Sequence, residues 1–405
     1  MNESSLIAGA LEHLTTLCNI HPHRQVGSIG NRAATEYFAQ VARKYGFAVE
    51  ETQFECLGWE SGAARLTAGE ESFEFAISDY SLGCDVKAPL AVVSTIPELE
   101  MVAAAGKILL VKDELSVEQL MPKNFTFYNP EHHQHIIAML EQKAPLAILA
   151  ATGHNPELAG ALYPFPLIED GDFNIPVGHL KDVDGERLAV HAGETIDLFM
   201  EARRYPNQAV QVLARKGPEA GGRRLVISGH IDSKATTPGA LDNATGAIVL
   251  LLLAELLADY RGKLTVELVP FNGEDNYSVA GQKLYLARTE GRLSEVCLNV
   301  NLDGLGWRGS PTAYSFYECQ DDSMTGIRQV FGRYPELVEG PAWPQGDHMI
   351  FAMSGISAVA ITTEKFNELE HDIAHTEKDI PELVDPAKLV VTAHALRDLV
   401  IEMDQ

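Results

Sequence analysis

The sequence has little of what marks secreted, membrane-spanning or nucleic-acid-binding proteins. Its five cysteines are scattered among 405 residues without a C-x-x-C spacing. That pattern argues against structural disulfides and a cysteine metal site, and favours a reducing compartment. Lysine and arginine number 31 against 57 aspartates and glutamates, which gives a net charge of −26. We therefore expect no binding to duplex nucleic acid or to an anionic membrane.

Long hydrophobic runs are also missing. The most apolar stretch, residues 246–258, is too short to span a bilayer. The first residues, MNESSLIAGALEHL, lack a basic stretch followed by a long apolar one, so we expect no secretory signal. Together with the cysteine pattern, these absences predict a cytoplasmic protein.

The hydrophobic pattern divides the chain into three segments. Residues 1–51 predict two helices, which we expect to pack on the C-terminal domain. Residues 52–205 predict short strands interrupted by one helix at 132–144, a mostly β inserted domain. Residues 206–405 alternate strands and helices. This third pattern predicts an α/β fold with a mixed, largely parallel sheet flanked by helices.

Acids and histidines follow the predicted strands of the third segment. In an open α/β sheet, ligands bind beyond the carboxyl ends of the strands. Each residue alone has a bland explanation: Asp242, for example, is a plausible N-cap for the helix that follows it. The full set is His230, Asp232, Asp242, Glu274, Asp275, Asp303 and His375.

Together these side chains would place several negative charges and two imidazoles at one edge of the sheet. Such a cluster is costly unless a cation neutralises it. Mixed histidine and carboxylate ligation suits Zn²⁺, and two ions roughly 3.5–4 Å apart would need one bridging carboxylate. The sequence therefore predicts a metal site.

The order of these stretches resembles the M28 family of zinc peptidases, the co-catalytic aminopeptidases. GALDNATGA, FNGED followed by AG, NLDGLG and the HT at 375–376 look like motifs of that family. GDH at 346–348 looks like its SDH loop, and R-Q-VGSIGNRAATEYF near the start resembles its N-terminal helix. The stretches GKILLVKD and APLAILAAT, with a helix between them, resemble the protease-associated (PA) domain inserted in such enzymes.

The resemblance implies a set of metal ligands. One zinc ion would be held by His230 and Asp303, the other by Asp275 and His375, and Asp242 would bridge the two. Cobalt or manganese could stand in for zinc. The family more commonly has glutamate at the position of Asp275, so we expect the metal on that side to be held differently or more loosely.

The resemblance also implies roles for residues that do not bind metal. Glu274 would be the general base that takes a proton from the attacking water. Asp232 would orient His230 through the N–H of its ring. Asp347, His348 and Tyr314 are candidate substrate contacts.

The expected function is that of a dizinc aminopeptidase that removes N-terminal residues from small peptides. A glutaminyl cyclase-like acyltransferase with one zinc stays open as an alternative on the same fold. A carboxypeptidase would need a basic clamp for the substrate's carboxylate, with Arg308 and Arg328 as candidates. A binding protein that has lost its metals is the remaining alternative, and the oligomeric state is left open.

Overall fold

The computed structural model describes residues 3–21, 23–125, 129–154, 163–218, 222–343 and 346–405. The α-helices among these residues are α1 Glu3–Cys18, α2 Ile29–Lys44, α3 Ile96–Met101, α4 Glu131–Lys143, α5 Asp182–Ala189, α6 Thr245–Leu256, α7 Ala280–Thr289, α8 Asp321–Phe331, α9 Met349–Ala352, α10 Phe366–Asp372 and α11 Pro386–Met403. The strands are β1 Ala48–Ala68, β2 Glu71–Phe73, β3 Ala76–Ile77, β4 Cys84–Val93, β5 Ile108–Val111, β6 Ala147–Thr152, β7 Val177–Lys181, β8 Thr195–Lys216, β9 Arg224–His230, β10 Thr265–Phe271, β11 Val296–Leu302, β12 Thr312–Tyr317, β13 Leu337–Glu339 and β14 Ala358–Thr363.

The chain divides into two compact units. Unit 1 comprises Met1–Cys56 with Gln208–Gln405, and unit 2 comprises Leu57–Asn207. The predicted limits of the inserted domain, residues 52 and 205, fall inside β1 and β8, and both strands continue past the division between the units.

Unit 1 is built on one mixed sheet. Its strand order is β13-β12-β14-β11-β9-β10-β8, in which β14, β11, β9 and β10 are parallel neighbours. Strands β9, β10 and β14 are buried along their whole length. Strands buried on both faces favour apolar residues on both faces, which explains the runs LVI in β9 and AVAI in β14. The predicted α/β fold, a largely parallel sheet flanked by helices, is confirmed.

Helix α6 forms the centre of unit 1. It is apolar on every side, and a helix of that kind must be buried all round. Residues Thr245–Ala254 are indeed all buried, enclosed by the sheet, α1, α2 and α11. The N-terminal helices therefore form part of the same hydrophobic core as α6, with Leu14 and Phe38 among its members. Within the described parts of the chain, no helix combines the length and apolarity needed to cross a bilayer.

The strands of unit 2 follow the order β8-β4-β5-β6-β7-β3. Strands β4 to β7 are parallel, whereas β8 and β3 pair antiparallel with their neighbours. The predicted helix at 132–144 corresponds to α4, and the structure adds the short helices α3 and α5. Six and eight residues are too few to show a clear helical period, which is why the sequence pattern did not indicate them.

One buried histidine gives unit 1 a testable pH dependence. The His13 side chain on α1 is buried beside Tyr37, with Nδ1 2.7 Å from the Tyr37 hydroxyl. Burial lowers the pKa of His13 to about 4. The unfolded chain, with a pKa of about 6.5, binds the proton more readily. The stability contributed by neutral His13 is therefore complete above about pH 6.5 and is lost as the pH falls toward 4.

We expect the free energy of unfolding to depend less on pH in His13→Gln than in the parent, by at most about 3 kcal/mol between pH 7 and 4. The measurement is urea unfolding at several pH values, with the exposed His21→Gln as the control. Equal pH dependence in both variants and the parent would contradict the assignment to His13.

Candidate metal centre

Three parallel strands bring the predicted residues to one edge of the sheet in unit 1. Strands β11, β9 and β10 lie side by side in that order. His230 is the last residue of β9, Asp303 follows β11 directly, and Glu274 and Asp275 follow β10 after a short turn. That turn contains Gly273 with φ of +119°, a conformation that residues with a side chain rarely adopt.

The five predicted ligands are in contact with one another. The two carboxylate oxygens of Asp242 face different histidines: Oδ1 lies 3.0 Å from His230 Nε2, and Oδ2 lies 2.9 Å from His375 Nε2. The same nitrogen of His230 is 3.5 Å from Asp303 Oδ1, and that of His375 is 2.8 Å from Asp275 Oδ1. Asp242 thus stands between two groups, each made of one histidine and one further aspartate.

The tautomer of His230 indicates whether a cation fits between its Nε2 and the carboxylates of Asp242 and Asp303. Its Nδ1 lies 3.2 Å from the backbone carbonyl oxygen of Asp232, which can only accept a hydrogen bond. The proton of the neutral ring therefore sits on Nδ1, and Nε2 presents a lone pair to the carboxylates of Asp242 and Asp303. Lone pair and carboxylates repel one another unless a positive charge lies between them, either a metal ion or a second proton on the ring, whose pKa burial lowers and these acids raise more strongly. Asp275 Oδ2 is also buried without a hydrogen-bond partner, so the donor set fits divalent metal.

The charges around this centre also favour a bound divalent metal. Acids outnumber the two histidines, and each acid lies close enough for its charge to act on another member. Burial raises the pKa of Glu274 well above its usual range, and the neighbouring acids add to the effect. Burial raises the pKa of Asp242 too, but His375 and His230 outweigh it and hold that pKa far below its usual range. The acids are Asp232, Asp242, Asp275, Asp303, Asp347, Glu274 and Glu370.

Asp232 connects two of the loops at the centre. Its carboxylate accepts hydrogen bonds from the backbone N–H groups of Gly273, Glu274 and Asp275, at 2.7, 3.3 and 3.1 Å. The same carboxylate is 3.8 Å from His230 Nδ1, farther away than the backbone carbonyl oxygen of Asp232 at 3.2 Å. In this geometry the side chain of Asp232 fixes the turn that carries Glu274, while its main chain orients the imidazole.

Two further side chains fix the backbone around Asp242. The carboxylate of Asp379 accepts hydrogen bonds from the N–H groups of Leu241 and Asp242, at 2.7 and 3.0 Å. Burial raises the pKa of Asp379 to about 7. Asn243 donates to the carbonyl oxygen of Leu302, at 2.7 Å, and accepts from the N–H of Gly246 at the start of α6. Asn243 therefore caps the helix, and Asp242 is free to face the histidines.

Glu370 on α10 is a member of the centre that sequence reasoning missed. Burial raises its pKa well above the usual range, with the charges of Asp242, Asp303 and Asp275 adding to the effect. It precedes His375 by five residues, a spacing that no ligand motif singles out. His375 itself has a φ of 60°, a conformation uncommon for residues other than glycine and typical of strained functional sites.

The three candidate substrate contacts all belong to unit 1. Asp347 is buried and accepts a hydrogen bond from Gln282, and burial raises its pKa to about 7. His348 is completely enclosed, with its ring against those of Tyr317 and Trp343, and burial lowers its pKa to about 4. A neutral ring without exposed surface offers little to a bound peptide, so we interpret His348 as support for the loop rather than as a substrate contact.

Tyr314 packs in the hydrophobic core and also lines a pocket. Its ring packs against Phe316 and Phe331 in the hydrophobic core. It also lines a pocket, together with Trp343, Phe366 and other residues. Trp343 stacks on Phe366 with ring centroids 4.5 Å apart. Aromatic rings therefore form one part of the pocket wall, and small and polar residues such as Ala313, Ser315 and Thr362 form the rest.

A second group of possible ligands lies in unit 2. Glu118 Oε1 is 2.9 Å from His132 Nε2 and 3.2 Å from His133 Nε2. The backbone N–H of Met121, however, donates to His133 Nδ1 at 3.2 Å. The proton of neutral His133 must then sit on Nε2, which faces Glu118 as a donor and has no lone pair for a metal. We interpret this group as hydrogen-bonded side chains.

One family of known proteins matches the part of the chain that contains the centre. Residues 211–400 match the model of peptidase family M28. This M28 region contains every predicted metal ligand. The curated Aminopeptidase YwaD of Bacillus subtilis is 26% identical over 238 residues, which are 55% of this chain and 50% of that protein. The match thus spans half the length of that relative.

Two solved aminopeptidase structures share the fold across nearly the whole chain. The aminopeptidase from Aneurinibacillus sp. strain AM-1 has a TM-score of 0.76 at 21% identity and covers 98% of this chain and 93% of that one. BSAP, a zinc aminopeptidase from Bacillus subtilis, has a TM-score of 0.73 at 18% identity and covers 98% and 95%. The M28 match and the curated relative support a peptide hydrolase, and the two solved structures support the shared fold.

Proposed function

We propose that this protein is a dizinc aminopeptidase that hydrolyses the N-terminal residue from small peptides. The observation that carries the proposal is the position of Asp242, whose two carboxylate oxygens lie 3.0 and 2.9 Å from different histidines. A carboxylate shared in this way suits two ions held side by side. His230 and Asp303 would hold one ion, and His375 and Asp275 the other.

When bound, zinc would supply Lewis acidity to the scissile carbonyl and to the attacking water. Glu274 would accept a proton from that water and deliver it to the leaving amine. Its pKa, raised by burial and by the neighbouring acids, would fall toward a value useful near neutral pH once cations are bound. Asp232 would keep Glu274 in place through the backbone N–H groups of residues 273–275.

The charge of the site favours a substrate with a free α-ammonium group. Asp303 is buried and Glu274 and Glu370 are partly exposed, and these three acids of the centre provide negative charge for an ammonium to pair with. The two arginines that could clamp a carboxylate are engaged elsewhere. Arg308 donates to the backbone of Glu382, and Arg328 forms a two-bond pair with Glu339. The aminopeptidase is therefore favoured over a carboxypeptidase.

The test compares leucyl, N-acetyl-leucyl and C-amidated peptides at equal concentration, with a glutaminyl peptide scored for ring closure. Acetylation removes the ammonium charge and leaves buried carboxylates without a partner. We expect a fall in kcat/KM of about tenfold or more, while amidation of the carboxyl end changes little. Equal cleavage of free and acetylated peptides would contradict the aminopeptidase, and ring closure without hydrolysis would favour a glutaminyl cyclase.

Three further features belong to the same proposal. Zinc is expected at two ions per chain, with cobalt or manganese as substitutes. A cytoplasmic location is supported by five free and partly buried thiols. A PA-like character for the inserted domain predicted at residues 52–205 is supported by the strand–helix–strand arrangement of β5, α4 and β6.

A further inference from the structure

A buried arginine in the N-terminal part of the chain is bonded to the loop that carries Asp232 and Asp242. Arg24 lies between α1 and α2, is 2% exposed and donates four hydrogen bonds to backbone carbonyls. The acceptors are the carbonyl oxygens of Leu17, Ile231, Pro238 and Gly239, at 3.2, 3.1, 2.8 and 2.7 Å. Three of the four belong to the loop between His230 and Asp242, so one side chain fixes both the beginning and the end of that loop.

The loop is shaped for this contact. Gly239 has a φ of +60°, and a Cβ atom at this position would lie 2.7 Å from Arg24 Nη2. Glycine is required for both reasons, since a side chain would be strained and would displace the guanidinium. Beyond Gly239, Asp379 accepts from the next N–H groups of the loop, and its charge is close enough to Arg24 for the arginine to act on its pKa.

A second residue of the same segment reaches the other loop of the centre. The amide of Asn31, at 0% exposure, forms two hydrogen bonds with that of Asn272, at 2.7 and 3.0 Å. Asn272 directly precedes the turn that carries Glu274 and Asp275. Asn31 also donates to the carbonyl oxygen of Arg24, at 3.0 Å, so the two contacts belong to one hydrogen-bonded segment.

We infer that the segment 24–31 is a positioning element of the metal centre, with Arg24 setting the Asp232–Asp242 loop and Asn31 setting the Glu274–Asp275 turn. This inference rests on the proposed function, because it assumes that the loops bind zinc. The segment lies outside residues 211–400, the part of the chain that matches the M28 model. Neither Arg24 nor Asn31 touches the five ligands directly, so both act through the backbone.

Arg24→Lys tests the role of the guanidinium. Lysine keeps the charge, but a single ammonium group cannot serve carbonyls on both sides of the loop. Loss of a group that orients metal ligands typically lowers metal affinity or activity by about 10–100-fold. We expect zinc affinity, measured by competition with a chelator, to fall by about tenfold or more. We also expect kcat to fall more than KM changes, because Arg24 does not touch substrate.

Arg224→Lys is the matched control. Arg224 is also buried, in the same unit, but it lies at the amino end of β9, whereas His230 lies at the carboxyl end. It pairs with Glu267 and donates to a backbone carbonyl. Its replacement should lower the free energy of unfolding while zinc affinity of the folded protein stays within about twofold of the parent, because it contacts neither loop.

The outcomes separate this inference from the proposed function. Reduced zinc affinity in Arg24→Lys alone supports the inference, even if the parent cleaves no peptide and the aminopeptidase proposal fails. Unchanged affinity in Arg24→Lys, an equal loss in both arginine variants, or a parent that binds no zinc would overturn it. If Arg24→Lys does not fold, Asn31→Ala decides: a fall of about tenfold in kcat or zinc affinity supports the inference, and parental values of both overturn it.

Discussion

Glu274→Gln is expected to lower kcat by about 10²–10⁴-fold while zinc content and the free energy of unfolding stay close to those of the parent. The amide has nearly the same shape as the carboxylate but cannot accept the proton of the attacking water. The backbone N–H of Glu274 still bonds to Asp232, so the turn keeps its conformation. Steady-state kinetics on a leucyl peptide, together with elemental analysis of the purified protein, provides the measurement.

Two variants serve as controls for this experiment. Asp275→Asn should weaken zinc binding, because Asp275 Oδ1 lies 2.8 Å from His375 Nε2 among the proposed ligands. The exposed Glu290→Gln should resemble the parent in every respect. If Glu274→Gln lost zinc and Asp275→Asn kept two ions with little activity, the roles of the two neighbouring acids would have to be exchanged.

The sheet and the place of the site could be predicted because both are encoded locally. Strands β9, β10 and β11 are short apolar runs, and in two of them the proposed ligands lie at the strand end or one residue beyond it. Parallel neighbours bring such residues to a single edge, so His230, Asp303 and Asp275 meet without any further information. The family motifs then implied a role for each residue.

The side chains that fix the loops of the site could not be predicted from the sequence, because they form hydrogen bonds with backbone groups far away along the chain. Asp232 accepts from Gly273 across 41 positions, Asp379 accepts from Leu241 across 138, and Arg24 donates to Ile231 across 207. No local pattern distinguishes a buried aspartate that binds backbone N–H groups from one that binds a metal. Asp232 illustrates this: it was predicted to orient His230 with its carboxylate, which in the structure is bonded to the neighbouring turn.

Asp242 is a second residue for which the local sequence pattern leaves two roles open. As a residue before a helix, it could have been a simple N-cap, yet its neighbour Asn243 accepts the helix N–H group at 2.8 Å. The carboxylate of Asp242 is left between His230 at the end of β9 and His375 on the loop after α10. Its energetic role is therefore tied to the two ions proposed here, and its replacement should affect both of them.

Asp242→Asn should weaken the binding of both zinc ions, and should abolish most peptide hydrolysis. The amide removes one negative charge and one of the two anionic oxygens, so no carboxylate remains to be shared. Removing one partner from a buried charge pair typically costs about 3–5 kcal/mol, equivalent to a loss in zinc affinity of roughly 10²–10³-fold or more. The measurement is zinc titration followed by elemental analysis.

The exposed Asp259→Asn, just beyond the other end of α6, makes the same chemical change away from the site and should bind zinc as the parent does. Two ions bound to Asp242→Asn with parental affinity would mean that Asp242 is not the bridge. One ion lost with the other unaffected would mean that Asp242 belongs to one group only. Loss or weakening of both ions is the outcome that its position predicts, since each of its oxygens faces a different histidine.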